Sequence, residues 1–202
     1  MKFVTCLVFV LVSFSATSCE NNKFSKIQKI DNDGKILQFI PDTSLNKILF
    51  IQNPNSILKF LGDISPLLNH DEDLPSACFF NKSKQQYVKF IFLPGGTANT
   101  ISQFEVGYYS DNINPKNCFP IELDSLYTES KIALGLTKAE ILKIKGNNYK
   151  NSIKGISEMI IYSLDDFDRE PFLKRYNMPV YVEEFYFKND RLTRFRFGFE
   201  YP

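Results

Sequence analysis

Ser130 to Gly146 reads SKIALGLTKAEILKIKG, and an earlier stretch, Asn46 to Gly62, reads NKILFIQNPNSILKFLG. Aligned without a gap, Lys47 and Lys131, Ile48 and Ile132, Ile57 and Ile141, Leu58 and Leu142, Lys59 and Lys143, and Gly62 and Gly146 are identical. The letters that differ keep the same physics. Thr137 with Glu140 three residues on is a capping box, in which hydroxyl and carboxylate satisfy free backbone donors. In the earlier copy Asn53 is the cap and Pro54 takes the first helical position, where a missing N–H costs nothing. Gly62 and Gly146 stand where a helix ends on a left-handed residue. Both stretches predict a helix of roughly two turns, stable only when packed on something larger.

Working outward, the pattern after each helix switches to a period of two. Phe195, Phe197, Phe199 and Tyr201 alternate with Arg194, Arg196, Gly198 and Glu200, as in a strand with one buried and one wet face. Phe185 and Phe187 alternate with Glu184, Tyr186 and Lys188 before it, and Asn189-Asp190 predicts the tight turn between the two strands. The first half repeats this order, with Ile101, Phe104, Val106, Gly107 and Tyr108 standing where Leu192, Phe195, Phe197, Gly198 and Phe199 stand later. Strands are predicted over 77–81, 87–93 and 100–109, then 158–164, 180–188 and 192–201, with a first strand over 35–40. The expectation is an α+β fold of two tandem helix-plus-antiparallel-sheet units, 35–112 and 113–202, with the helices packed on one face of the sheet.

The chain opens with Met1-Lys2, an apolar run from Phe3 to Phe14 and the small residues Ser15 to Ser18, the three regions of a secretory signal. The run is shorter than the roughly 20 apolar residues a transmembrane helix needs. Cys19 directly after Ser18 resembles a lipobox, so residues 1–18 are read as a lipoprotein signal, Cys19 as the lipid attachment site and 19–34 as a polar tether. This predicts a bacterial cell-envelope protein anchored in the outer membrane, periplasmic or surface-exposed. Without the signal, 23 basic and 23 acidic residues remain. Neutral balance with no basic run argues against nucleic acid, whose phosphates demand clustered Lys and Arg.

A helix followed by an antiparallel sheet, twice, with Gly135-Leu-Thr-Lys-Ala-Glu-Ile-Leu-Lys-Ile-Lys-Gly146 opening the second unit, resembles the tandem fold of the β-lactamase-inhibitor proteins and the related small lipoproteins of the outer-membrane barrel-assembly machinery. Leu136 stands where their pattern has Met. The resemblance implies a non-catalytic protein that binds or assembles with an envelope or secreted protein. An inhibitor or immunity protein against a hydrolase or toxin is the alternative, and a hydrolytic enzyme using an acidic residue such as Asp166 a distant one. The resemblance also implies that the sheet face grips the partner.

Enzymatic constellations are thin. His70 is the one histidine, in the acidic loop Asn69 to Asp73, which reads as a solvated loop. Leu93-Pro-Gly-Gly-Thr97 lacks the ending of a phosphate cradle and reads as a hairpin turn. No cofactor, metal or small-molecule substrate is expected. Cys78 and Cys118 are either a disulfide closing a loop of about 40 residues or two separate cysteines, because sequence does not show the geometry a bond requires.

Two partner-binding leads remain. The second half carries an insertion, 165–179, with Phe167, Phe172, Leu173, Tyr176 and Met178, residue types that anchor interfaces. They form either an interface or cover folded back on the sheet, and Asp165, Asp166, Asp168 and Glu170 give a further reading as a calcium site. The other lead is the wet sheet face, with Lys89, Ile91, Gln103 and Glu105 in the first half and Glu184, Tyr186, Arg194 and Arg196 in the second. Cross-strand pairing explains these charges as sheet stabilisation, and a partner explains them as an interface.

Overall fold

The computed structural model describes residues 39–70, 73–83, 85–93, 100–109, 118–154 and 157–200. The predicted signal, the predicted lipid-attachment residue Cys19, the predicted tether, most of the predicted first strand and the predicted Pro94–Thr97 turn lie outside the described residues.

The two repeats fold alike. Helices α1 (Pro54–Leu61) and α2 (Lys138–Lys145) have eight residues each. The Asn53 side chain accepts from Ser56 N, and Thr137 with Glu140 forms the reciprocal capping box. Both helices stop at a glycine of positive φ, 76° at Gly62 and 91° at Gly146, where a Cβ would be strained. Even the turns before them match, since Lys47 and Lys131 both have positive φ. Ile57 and Ile141 occupy the same helical position and are both fully buried.

Ten strands are found among the described residues: β1 (Ser44–Leu45), β2 (Leu49–Phe50), β3 (Ser76–Phe80), β4 (Gln86–Ile91), β5 (Gln103–Tyr108), β6 (Cys118–Pro120), β7 (Lys150–Lys154), β8 (Ser157–Leu164), β9 (Val180–Lys188) and β10 (Arg191–Glu200). The first two make a small hairpin, and the other eight form one sheet in the order β6-β3-β4-β5-β10-β9-β8-β7. All neighbours are antiparallel except β3 and β6.

This corrects the expected fold class. The architecture is mainly β, built on one mixed eight-stranded sheet, and not α+β with a helical layer packed on the sheet. With α3 (Pro171–Tyr176), the described residues hold three α-helices of only six to eight residues. The halves meet edge to edge through β5 and β10. Both strands place aromatic or branched side chains on the core face, Phe104 and Val106 against Phe197 and Phe195, so joining them makes one apolar surface.

The pairing has an internal symmetry. The sequence repeat equates Phe104 with Phe195 and Val106 with Phe197, and the register pairs Phe104 with Phe197 and Val106 with Phe195. A local two-fold axis therefore passes between β5 and β10, as in an isologous dimer interface fused into one chain.

Alternation then sorts the side chains. Phe79, Val88, Phe90, Phe104, Val106, Phe195, Phe197, Phe185 and Ile160 share the core face, with Phe90 and Phe197 each 5.3 Å from the Phe104 ring. Burying each such ring contributes about 1.5–3 kcal/mol. A bulge between Leu192 and Arg194 lets Leu192 and Phe195 both face inward although their numbers differ in parity. Positive φ at Asn189 and Asp190 makes the tight turn between β9 and β10.

Candidate functional site

On the face away from the core, the registers align Lys89, Glu105, Arg196 and Glu184 into one row crossing β4, β5, β10 and β9. Charges from the two halves therefore interleave, plus, minus, plus, minus, across the seam of the sheet. Arg196 Nε donates to Glu184 Oε2 at 3.0 Å and its Nη2 to Glu200 Oε1 at 3.0 Å. Burial opposes the Arg196 charge, but the two carboxylates outweigh it and hold the guanidinium above its ordinary range. Beside this row Tyr186 donates to Glu184 Oε2 at 2.7 Å, and Tyr87 donates to Glu105 Oε1 at 2.8 Å. Partial burial and the bond to Glu184 push the Tyr186 phenol up to about 12, so it stays a donor. The Arg194 guanidinium lies 3.9 Å from the centre of the Tyr186 ring.

Asp73, Lys89, Ile91, Gln103, Glu105 and Arg196 bound a shallow hollow of about 420 Å³ on this face. The Arg194 side chain keeps 42% of its surface exposed and Arg196 30%. The helices do not cover the face, because Ile57, Ile141 and Leu173 all enter the core on the other side. Of the predicted partner-binding residues, the structure thus brings Tyr186, Arg194 and Arg196 together on one open surface.

The insertion behaves differently. Phe172 lies 5.1 Å from the Tyr181 ring and stacks at 5.7 Å on Phe199, Tyr176 lies 4.9 Å from Phe199, and Leu173 is fully buried. Met178 also packs against the core. Phe172, Tyr176 and Met178 are thus partly buried against the core, the packing expected of the cover reading, and Phe167 alone of the group stays exposed. Asp165, Asp166 and Asp168 are exposed, and Asp166 pairs with Arg169 at 3.5 Å. His70 is exposed. Among the described residues, no three His, Cys, Asp or Glu side chains converge as a cation site.

Cys78 and Cys118 stand opposite each other on β3 and β6 and are joined, with Cα atoms 4.5 Å apart. The bond holds the edge strand β6, only three residues long, to the sheet.

One cluster has no counterpart in the sequence reading. Glu183 of β9 lies on the core face between Tyr181 and Phe185, fully buried. Lys145, the last residue of α2, places its Nζ 2.8 Å from Glu183 Oε1 and Oε2 and 2.8 Å from Asp42 Oδ2, and donates to Ile40 O at 2.7 Å. Asp42 N donates to Glu183 Oε1 at 2.7 Å, and Ser130 N donates to Asp42 Oδ1 at 2.9 Å. Tyr181 OH bonds both Asp42 O and Glu183 Oε1. Burial pushes the Glu183 carboxyl up to about 7 and the Tyr181 phenol well above its ordinary value. Burial alone would push Lys145 down, but Glu183 and Asp42 outweigh it and keep the ammonium above its usual range. Two sequence signals point to this cluster: Glu183 has the parity of Phe185 and Phe187, and Lys145 stands where the first repeat has the core-packed Leu61.

No family model and no curated protein matches the chain. A solved structure, an extracellular protein containing a SCP domain from Bacillus anthracis str. Ames, is similar over 79% of this chain and 46% of that one, at 12% identity and a TM-score of 0.38. The match thus spans less than half of that protein's length, and a likeness this slight bears on neither fold nor function.

Proposed function

We propose that this chain is a lipid-anchored envelope protein that binds another envelope or secreted protein, without catalysis, through the open face of its sheet. The observation that carries the reading is the row Lys89, Glu105, Arg196 and Glu184, flanked by Tyr186 and the exposed Arg194, which runs across both halves on a face that none of the described helices covers. Arg and Tyr are the residue types that dominate binding energy at protein interfaces. Interleaved charges give register and specificity to a docked partner more than raw affinity. The lipid anchor at Cys19 rests on the sequence alone and confines the search for a partner to the envelope.

The test is affinity capture from cross-linked envelopes of the native host, comparing the wild-type chain with Tyr186→Ala/Arg194→Glu and with Leu58→Ala, which alters an exposed residue of α1. One protein retained in constant ratio by the wild type and by Leu58→Ala, and lost with the double variant, supports the reading. Equal retention by the double variant, or no protein retained at all, overturns it. Should the captured protein be a hydrolase that loses turnover in the complex, the module is an inhibitor.

A further inference from the structure

The buried cluster of Asp42, Lys145 and Glu183 places two carboxylates and one ammonium in the core. Such a group is a poor stabilising device, because desolvation of the ions consumes most of their attraction. Its geometry, however, meets the requirements of a condensation. An amine and a carboxyl group are held in contact, Lys145 Nζ lying 2.8 Å from Asp42 Oδ2. A second carboxyl group, Glu183, touches the same nitrogen with both oxygens at 2.8 Å. The Ser130 N–H bonds Asp42 Oδ1 at 2.9 Å, where the negative charge of a tetrahedral intermediate would collect. Water is excluded, since the Lys145, Asp42 and Glu183 side chains are each no more than 1% exposed.

We propose that Lys145 and Asp42 become joined by an amide bond between Nζ and Cγ, formed inside the folded protein with Glu183 as the proton carrier. Glu183 takes one proton from the Lys145 ammonium, leaving a neutral amine, and passes it to Asp42 Oδ2. The amine lone pair attacks Cγ, forming the N–C bond and placing the negative charge on Oδ1, opposite the Ser130 N–H. Glu183 then takes a second proton from the nitrogen and delivers it to Oδ2. The C–Oδ2 bond breaks and Oδ2 leaves as water, while Oδ1 regains its double bond. Glu183 ends as it began, two of the three Nζ protons leave in the water molecule, and no oxidant or other reactant is required.

Two physical effects drive the reaction. Reacting groups held in contact behave as though at very high concentration. The product replaces a buried ammonium–carboxylate pair with a neutral amide, which removes the desolvation penalty of both ions. Tyr181 is a positioning residue, since its hydroxyl bonds Glu183 Oε1 and Asp42 O. Phe39, buried and with its ring centre 5.9 Å from Lys145 Nζ, packs against the site.

The experiment is tryptic digestion of the purified, reduced and denatured full chain, followed by mass spectrometry. The expected product is a branched peptide joining residues 36–47 to 144–150, lighter than the two separate peptides by one water, with no cleavage after Lys145. Recovery of the linear peptides with cleavage after Lys145 overturns the proposal. Glu183→Gln, checked for fold by circular dichroism, is expected to lose at least nine-tenths of the branched peptide; a folded variant that cross-links like the wild type overturns the role of Glu183. Asp42→Asn offers an amide that leaves as ammonia and is expected to give the same branched mass. Failure of either variant to fold leaves the wild-type digest to decide the bond.

Discussion

Glu105 and Arg196 stand directly opposite each other on β5 and β10, and each fills in its own half the position the other fills in the second half. A duplicated sequence thus meets its own copy at the centre of the sheet with opposite charges at the symmetric point. A self-paired position carrying one charge in both copies would place like charges opposite each other, which destabilises a sheet.

The same symmetry relates Gly107 and Gly198, and they answer to different constraints. A Cβ on Gly198 would sit 2.2 Å from Ser102 O at a φ of 142°, so backbone blocks it twice. A Cβ on Gly107 would sit 2.5 Å from the Tyr87 ring, a side chain able to swing away at the cost of its bond to Glu105. Gly198→Ala is expected to cost about 3 kcal/mol or more and Gly107→Ala about 1–3 kcal/mol, read from urea unfolding.

Cys78 and Cys118 close a loop in which the sequence separation is 40 residues. Replacing both with Ser is expected to lower stability by about 4 kcal/mol in the chain-entropy picture. Reduction of the wild type under native conditions should lower the unfolding free energy read from urea titration by the same amount, which separates loss of the bond from loss of the cysteine side chains.

The insertion 165–179 supplies a graded test of cover against interface. Leu173→Ala is expected to cost about 2–5 kcal/mol because the side chain is fully buried. Phe167→Ala, at an exposed position, is expected to stay within about 0.5 kcal/mol of wild type. Thermal unfolding of the two variants side by side is sufficient.

Glu183 predicts a pH dependence opposite in sign to that of an ordinary salt-bridged carboxylate. Its folded value is raised from 4.5 to about 7, so the folded state holds a proton that the unfolded state has released within that window. That contribution is fully present below the unfolded value and is lost as pH rises through the folded one. For the chain with Lys145 and Asp42 unjoined, stability is expected to fall between about pH 5 and pH 7, by up to about 1.4 kcal/mol per pH unit, and to level off above. Urea midpoints across that range check it, and Glu183→Gln should flatten the curve.

The local structure was largely legible in the sequence. The caps at Asn53 and Thr137, the glycines after each helix and the alternation of Phe195, Phe197 and Phe199 are local signals, and local geometry follows from them. The merging of the halves was not legible, because alternation says which face a side chain takes and not which strand edges meet. The strands β6 and β7 escaped notice for a related reason. Cys118 to Pro120 is too short to show a period, and Lys150 to Lys154 carries mostly polar residues suited to an outer edge. At the candidate site, the charges of the open face were visible singly, but their single row needed the β5–β10 register. Glu183 was hidden because a carboxylate between Tyr181 and Phe185 counts as polar in any pattern, although its parity points inward.

The place of β10 also sets an order of arrival. It is the last of the described strands, yet it lies at the middle of the sheet, between β5 and β9. A chain made from its N-terminus onward leaves one edge of β5 unpaired until β10 has been made. Asp42, near the start of the described residues, likewise waits for Glu183, 141 positions away. Contacts of such separation slow folding. The β5–β10 seam and the Asp42–Glu183 contact can therefore close only after residues 180–200 have been made.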